Sequence, residues 1–242
     1  MEDKIPAEEI SEKSDFLRWL SNFWYHNKTI TIVTLFVIFV VLITTLQMCS
    51  QESEDVTLVY GGPAIISNTQ FDNVRSVINA VMPKDFNGDG RKYTEIIVYN
   101  IMTEEQFKEF KERLRQQAEA EESGAGADVI LDSSYYSKQY ETYRSILLTG
   151  EYSIYLLDPW LFNELLAADR LQKVTDIAPG ANTSFSEYGV RLSDTAIYNE
   201  YEALQVLPGD TVVCLLKPYV FGASSKEKNY AIAKEMFAKI VE

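Results

Sequence analysis

Hydrophobic and polar positions change period several times along the chain. From Thr29 to Met48, "TITIVTLFVIFVVLITTLQM" runs twenty residues without a charge, glycine or proline. Wound as a helix it reaches about 30 Å, the thickness of a bilayer's hydrocarbon core. Beyond it the pattern alternates between strand and helix periods. "VTLVY" (56–60) is a continuous apolar run that predicts a buried strand, and the turn "GGP" follows. Ser67 and Gln70 have capping-box spacing, and Phe71, Val74, Ile78 and Val81 continue at helical spacing up to Pro83. "TEIIVYN" predicts the next strand. Thr103 with Gln106 opens a helix with the apolar stripe Phe107, Phe110 and Leu114, its other faces carrying the solvent pairs Glu104–Lys108 and Glu109–Arg113.

"EAEESGAGA" reads as a break and "DVILD" as a short strand. Tyr136, Tyr140, Tyr143 and Leu147 then form the core stripe of a helix that Gly150 stops. "YSIYLL" (152–157) predicts a central strand. Asp158 suits an N-cap and Pro159 the first helical position, where its missing N–H costs nothing; Leu161, Phe162, Leu165 and Leu166 press that helix onto the sheet. "APGANTSFSEYGV" reads as loop and "ALQVLPGDTVVCLL" as a hairpin returning to the sheet. Ser224 with Glu227 caps a last helix through Tyr230, Phe237 and Ile240. Strand and helix in alternation predict an α/β sheet with helices on both faces, preceded by one transmembrane helix.

The predicted organisation is a cytoplasmic leader (1–28), a transmembrane helix (29–49), a polar linker (50–55) and an extracytoplasmic domain (56–242). Lys13, Arg18 and Lys28 precede the span, whereas Glu52, Glu54 and Asp55 follow it and no basic residue appears before Arg75. Basic flanks stay in the cytoplasm, so the amino terminus is inside and the carboxyl-terminal domain outside a single-pass cell membrane protein. The run is too long for a cleaved export signal and lacks its small-residue site, so an uncleaved anchor is expected. In the leader, "SDFLRWLSNFWY" predicts an interfacial helix with Trp19, Trp24 and Tyr25 at headgroup depth.

Charge and residue inventory narrow the chemistry. Residues 50–242 carry 18 Lys and Arg against 30 Asp and Glu, part of a whole-chain net charge of −14. Such a surface repels nucleic acid and anionic headgroups. The two cysteines, Cys49 at the membrane boundary and Cys214 inside "TVVCLL", make neither a disulfide nor a thiolate metal set plausible. His26, the single histidine, lies before the span, which leaves the outer domain without an imidazole for nucleophile pairs, zinc sites or a general base. No P-loop, dinucleotide fingerprint or C-x-x-C occurs.

Two sets of residues are candidate sites. "DFNGDGR" places Asp85, Asn87 and Asp89 at positions 1, 3 and 5 of a calcium loop, with Gly90 at the sharp turn and Arg91 offering its carbonyl. Position 12 is Ile96 instead of a bidentate Glu, and Glu95 comes one residue early, so the choice is between weak calcium binding (about 0.1–1 mM) and a plain turn. At the carboxyl edge of the sheet the ligand-facing candidates are Gly61, Gly62, Asp158 and Trp160, with a helix cap and a packed aromatic as the alternative roles of the last two.

"YETYRSILLTGEYSIYLLDPWLFNELLAADRLQKVTDI" is similar to the first-lobe signature of extracellular solute-binding proteins with the type 2 periplasmic-binding-protein fold: a helix ending at Gly, a strand, a residue pair at the cleft, then a helix. "VFGASSKEKNYAIAKEMFAKIV" resembles the point where such chains return to lobe one. The ordered set "DFNGDGRKY", "YGVRL" and "CLLKPYVFGASSKE" also resembles membrane-anchored proteins of gut Firmicutes. Only about thirty residues, 178–207, stand where the second lobe would be inserted. The resemblance therefore implies a single-lobe, periplasmic-binding-protein-like module for binding or interaction, with a protein or a small neutral or cationic solute as partner. Carboxylate-based hydrolysis is the enzymatic alternative.

Overall fold

The structure, a computed structural model, describes residues 7–50, 53–120, 132–218 and 224–242. The chain divides into two compact units, Met1–Glu52 and Ser53–Glu242. The first is one helix, α1 (Ala7–Ser50). Residues 7–50 therefore form one continuous helix, which no proline or glycine interrupts. Within α1, Phe16–Thr45 is long and apolar enough to cross a membrane. At its start Phe16 stacks on Trp19 (6.2 Å) and Trp19 on Phe23 (5.6 Å).

The second unit is built on five strands: β1 (Val56–Gly62), β2 (Thr94–Asn100), β3 (Ile154–Leu157), β4 (Gly189–Arg191) and β5 (Val212–Leu215). They lie in the order β2-β1-β3-β5-β4, the first three parallel, β5 antiparallel to both β3 and β4. β3 and β5 are apolar throughout and β1 is so apart from Thr57, because both faces of these strands are covered. Alternate residues point to opposite sides: Leu58, Tyr60, Ile154, Leu156, Val213 and Leu215 join one core cluster, while Val59, Tyr155, Leu157, Val212 and Cys214 join the other.

The first cluster is closed by α2 (Asn68–Val81), through Val74, Val77 and Ile78, and by α7 (Ser224–Val241), through Met236, Phe237 and Ile240. The second is closed by α4 (Ser133–Thr149), through Tyr143, and α5 (Pro159–Ala167), through Leu161, Phe162 and Leu165. Each of these buried side chains contributes about 1.5–3 kcal/mol by leaving water. α3 (Glu104–Ala120) lies at the same side, but its stripe of Phe107, Phe110 and Leu114 is only half-buried.

Helix ends follow local chemistry. Ser67 and Gln70 form a reciprocal capping box, Thr103 and Gln106 repeat it on α3, Asp132 caps α4, and Gly150 ends α4 in the left-handed region at φ 58°. Two expectations change. "ALQVLPGDTVVCLL" is no hairpin: Glu202–Val206 is a 3-10 turn, and β5 pairs instead with β3 and with β4, a three-residue strand that begins at the end of the stretch read as loop. So short a strand carries no readable period, and its pairing comes from a distant part of the chain. The expected strand "DVILD" and the residue preceding α7 lie outside the described residues, apart from Asp132.

Residues 178–207 do not build a lobe of their own. Ala178, Val190, Leu192, Ile197, Leu204 and Leu207 are all buried in the first core cluster, with a short helix α6 (Ala196–Glu200) among them.

Candidate functional site

The carboxyl ends of the parallel strands meet at one edge, where Gly61 is in register with Tyr99 on one side and Leu157 on the other. Asp158 follows directly. Its N–H donates to the Gly61 carbonyl at 2.8 Å, and its carbonyl accepts from Phe162 at 3.0 Å. One carboxylate oxygen accepts the Trp160 N–H at 3.1 Å, capping α5; the other accepts Gln106 Nε2 of α3 at 2.9 Å. A single buried side chain therefore starts α5 and tethers α3.

Burial raises the Asp158 carboxyl above its ordinary 3.8, against the lowering effect of the Trp160 and Gln106 bonds. A raised folded-state value means that this group's stabilising contribution is complete below the unfolded value and is lost as pH rises through the folded one. Asp158→Asn is expected to remove that slope from a plot of melting temperature against pH. Asp158→Ala, which loses the cap and the tether, is expected to destabilise by about 1–2 kcal/mol at neutral pH, read by thermal unfolding.

Beside Asp158 the structure opens a cleft of ≈ 450 Å³ between α3, α4 and the start of α5. Ile101, Phe107, Tyr136 and Trp160 form its apolar walls, and Thr103, Glu104, Ser133, Ser137, Glu141 and Arg144 bring polar groups. The rings are held against one another: Phe107 and Tyr136 at 5.3 Å between centroids, Tyr140 and Trp160 at 5.6 Å. The Tyr140 hydroxyl donates to the Glu164 carboxylate at 3.0 Å, which fixes the ring. Burial, followed by the Glu164 hydrogen bond, raises the Tyr140 hydroxyl above its usual range, so it stays a donor.

Of the four strand-edge candidates, Trp160 lines the cleft and Asp158 supports it from behind. Gly61 and Gly62 are not a turn but the last residues of β1, buried and used for packing. A Cβ on Gly61 would lie 3.1 Å from Leu157 and 3.2 Å from Leu161; one on Gly62 would lie 2.7 Å from the Tyr60 hydroxyl.

The "DFNGDGR" stretch is a turn braced by its own acceptors. Asp85 accepts the N–H of Gly88 at 2.6 Å and of Gly90 at 2.7 Å, Asn87 that of Asp89, and Asp89 that of Arg91, both at 2.9 Å. Gly88 and Gly90 sit at φ 82° and 87°, where a side chain would strain the backbone. Asp55 clamps the turn to the start of β1 by accepting from Phe86, Asn87 and Tyr93. The Gly88 and then the Gly90 amide hold the Asp85 carboxyl below its ordinary value. Ile96, at position 12, pairs with Leu58 inside the sheet, so that position supplies no ligand. Among the described residues, no group of three or more His, Cys, Asp or Glu is arranged to hold a metal ion.

Comparison with family models, with curated proteins and with solved structures finds no match for this chain. The site thus stands on its geometry. The strand-to-helix corner in the sequence points to Asp158 and Trp160; Tyr136 is buried, Tyr140 packs against the second core cluster and Glu104 is exposed, as their spacing predicts, and the same three residues also line the cleft, which their spacing does not predict. Gln106 was read only as a cap partner. The available signal was the density of rings on two successive helices.

Proposed function

We propose that the chain is a membrane-anchored recognition module whose outer domain, a single lobe of solute-binding-protein-like fold, takes a small ligand or a partner's side chain in the cleft between α3, α4 and α5. The observation that carries this reading is the cleft itself, aromatic-walled and polar-rimmed at the carboxyl edge of the parallel strands, where open α/β sheets bind ligands. The order of Gly150-terminated helix, β3, the Asp158-Pro159 corner and α5 supports the resemblance to a binding-protein first lobe. The packing of residues 178–207 into the core supports a single lobe. Likewise, the apolar stretch of α1 and its flanking charges support an anchor with the amino terminus cytoplasmic and the domain outside. Recognition without bond-making fits an outer sequence that lacks histidine.

Two measurements test the proposal. Protease added to intact, permeable-walled cells is expected to degrade residues 53–242 and spare the leader; the reverse result would invert the topology. A thermal-shift screen of the full chain in non-ionic detergent against sugars, amino acids, amines, peptides and calcium is expected to find a stabilising ligand whose effect grows with concentration by mass action and is reduced by Trp160→Ala. Silence across the small molecules would leave a protein partner as the occupant. The calcium arm examines the subordinate proposal that Asp85, Asn87, Asp89 and the Arg91 carbonyl hold this ion weakly. A shift at millimolar calcium that chelator reverses and Asp85→Ala plus Asp89→Ala abolishes supports it, and an unmoved melting temperature removes it.

A further inference from the structure

The cleft's rings already hold cations belonging to the chain. Arg144 places its guanidinium carbon 5.8 Å from the centre of the Tyr140 ring, and Lys111 places its ammonium 5.4 Å from the centre of Phe107. Each pair stands at i and i+4 on one helix, α4 or α3, so helix geometry brings the cation beside its own ring, and both charged side chains are exposed. Around the same space stand Glu104 and Glu141 on the rim and Glu164 behind Tyr140. The whole outer domain adds a strongly negative field that draws cations toward it and repels anions.

From these observations, and resting on the recognition reading above, we infer that the cleft's ligand is an organic cation: a primary ammonium or guanidinium head carried on an apolar body. The body lies on the floor of Ile101 and Tyr136 between the Phe107 and Trp160 rings. The head replaces Arg144 over the Tyr140 ring and donates its N–H groups to Glu104, Glu141 and the rim hydroxyls of Ser133 and Thr103. Arg144 thereby acts as a competitor of the ligand. That role separates a cationic ligand from an anionic or zwitterionic one, for which Arg144 would be the binding residue.

Three compounds that share one body and differ in the head decide the matter: 2-phenylethylammonium, 2-phenylethanol and phenylacetate, titrated calorimetrically into the full chain in non-ionic detergent micelles, with empty micelles as the blank. The ammonium compound is expected to bind about tenfold or more tighter than the alcohol, and phenylacetate not at all. Glu104→Gln with Glu141→Gln is expected to weaken the ammonium compound several-fold, Arg144→Gln to tighten it, and about 0.5 M salt to weaken it. These substitutions are on exposed positions, so the fold is kept, and thermal unfolding of each variant checks this. Equal binding of alcohol and ammonium, preference for phenylacetate, or weakened binding in Arg144→Gln would each overturn the cationic assignment while leaving the cleft as a binding site. No heat from any of the three would overturn it as well. In that case the thermal-shift screen, read with Trp160→Ala, decides separately whether the cleft binds anything.

Discussion

Phe162→Ala is expected to lower the melting temperature of the outer domain by about 6–20 °C, as roughly 3–5 kcal/mol is lost when a buried ring is removed and a domain of this size shifts about 2–4 °C per kcal/mol. The ring is 1% exposed, on the first turn of α5, and lies 5.7 Å from Phe185. It belongs to the cluster that joins α4 and α5 to the second face of the sheet, which also holds Val59, Tyr155, Leu157 and Val212. Truncation leaves a space that close-packed neighbours refill only in part, so both the transfer free energy and the contacts around the void are lost. Differential scanning calorimetry of the full chain reads the shift. A change under about 2 °C would mean that α5 is not seated on the sheet in this way.

The second large effect comes from adding a single carbon. Gly189→Ala would put its Cβ 2.5 Å from Val212 Cγ1 and 2.6 Å from Phe162 Cε2, closer than carbon atoms approach. Its backbone is ordinary, since Gly189 is absent from the residues at positive φ, so space alone demands the glycine. β4 must move away from β5, or Phe162 must turn, and overpacking of this kind costs about 1–3 kcal/mol. The expected fall in melting temperature is roughly 2–12 °C. Because the clash is with Phe162, the double variant Gly189→Ala with Phe162→Leu should be more stable than the sum of the single effects predicts, with a coupling of about 0.5–3 kcal/mol. Strict additivity would show that the two side chains do not touch.

The elements that were legible in the sequence are those whose signals are local. The capping boxes at Ser67 and Thr103, Gly150 at the end of α4 and the Asp158-Pro159 corner are each set by neighbours within four residues, and the structure has each at the expected position, while the apolar run lies inside a longer helix, Ala7–Ser50. β1 was placed but ended two residues early, since Gly61 and Gly62 look like turn residues until Tyr143 and Tyr60 are seen packed over them. β4 was missed because its identity as a strand is a property of Val212–Leu215 beside it, not of its own three residues.

The candidate site divides the same way. Asp158 as a helix cap follows from its position before Pro159, and Trp160 follows it at the strand edge. That Asp158 also accepts from Gln106, 52 residues away in sequence, has no local trace. Nor does the gathering of Phe107, Tyr136, Tyr140 and Trp160 into one cleft, because stripes on separate helices predict only that each is apolar on one side.

What the sequence determined alone is the inventory and the partition: an uncharged helix long enough for a bilayer, an acidic domain beyond it free of histidine, and an α/β alternation whose periods set which residues face a core. Tertiary structure alone decided which faces meet. It turned two tyrosine-bearing turns of α4 into cleft walls, made Asp158 a link between helices, and tied the "DFNGDGR" stretch to the start of β1 through Asp55. The reason is physical: propensity, capping and periodicity act over a few residues, whereas a cleft and a buried hydrogen bond depend on surfaces far apart in the chain that meet only when the sheet orders its strands.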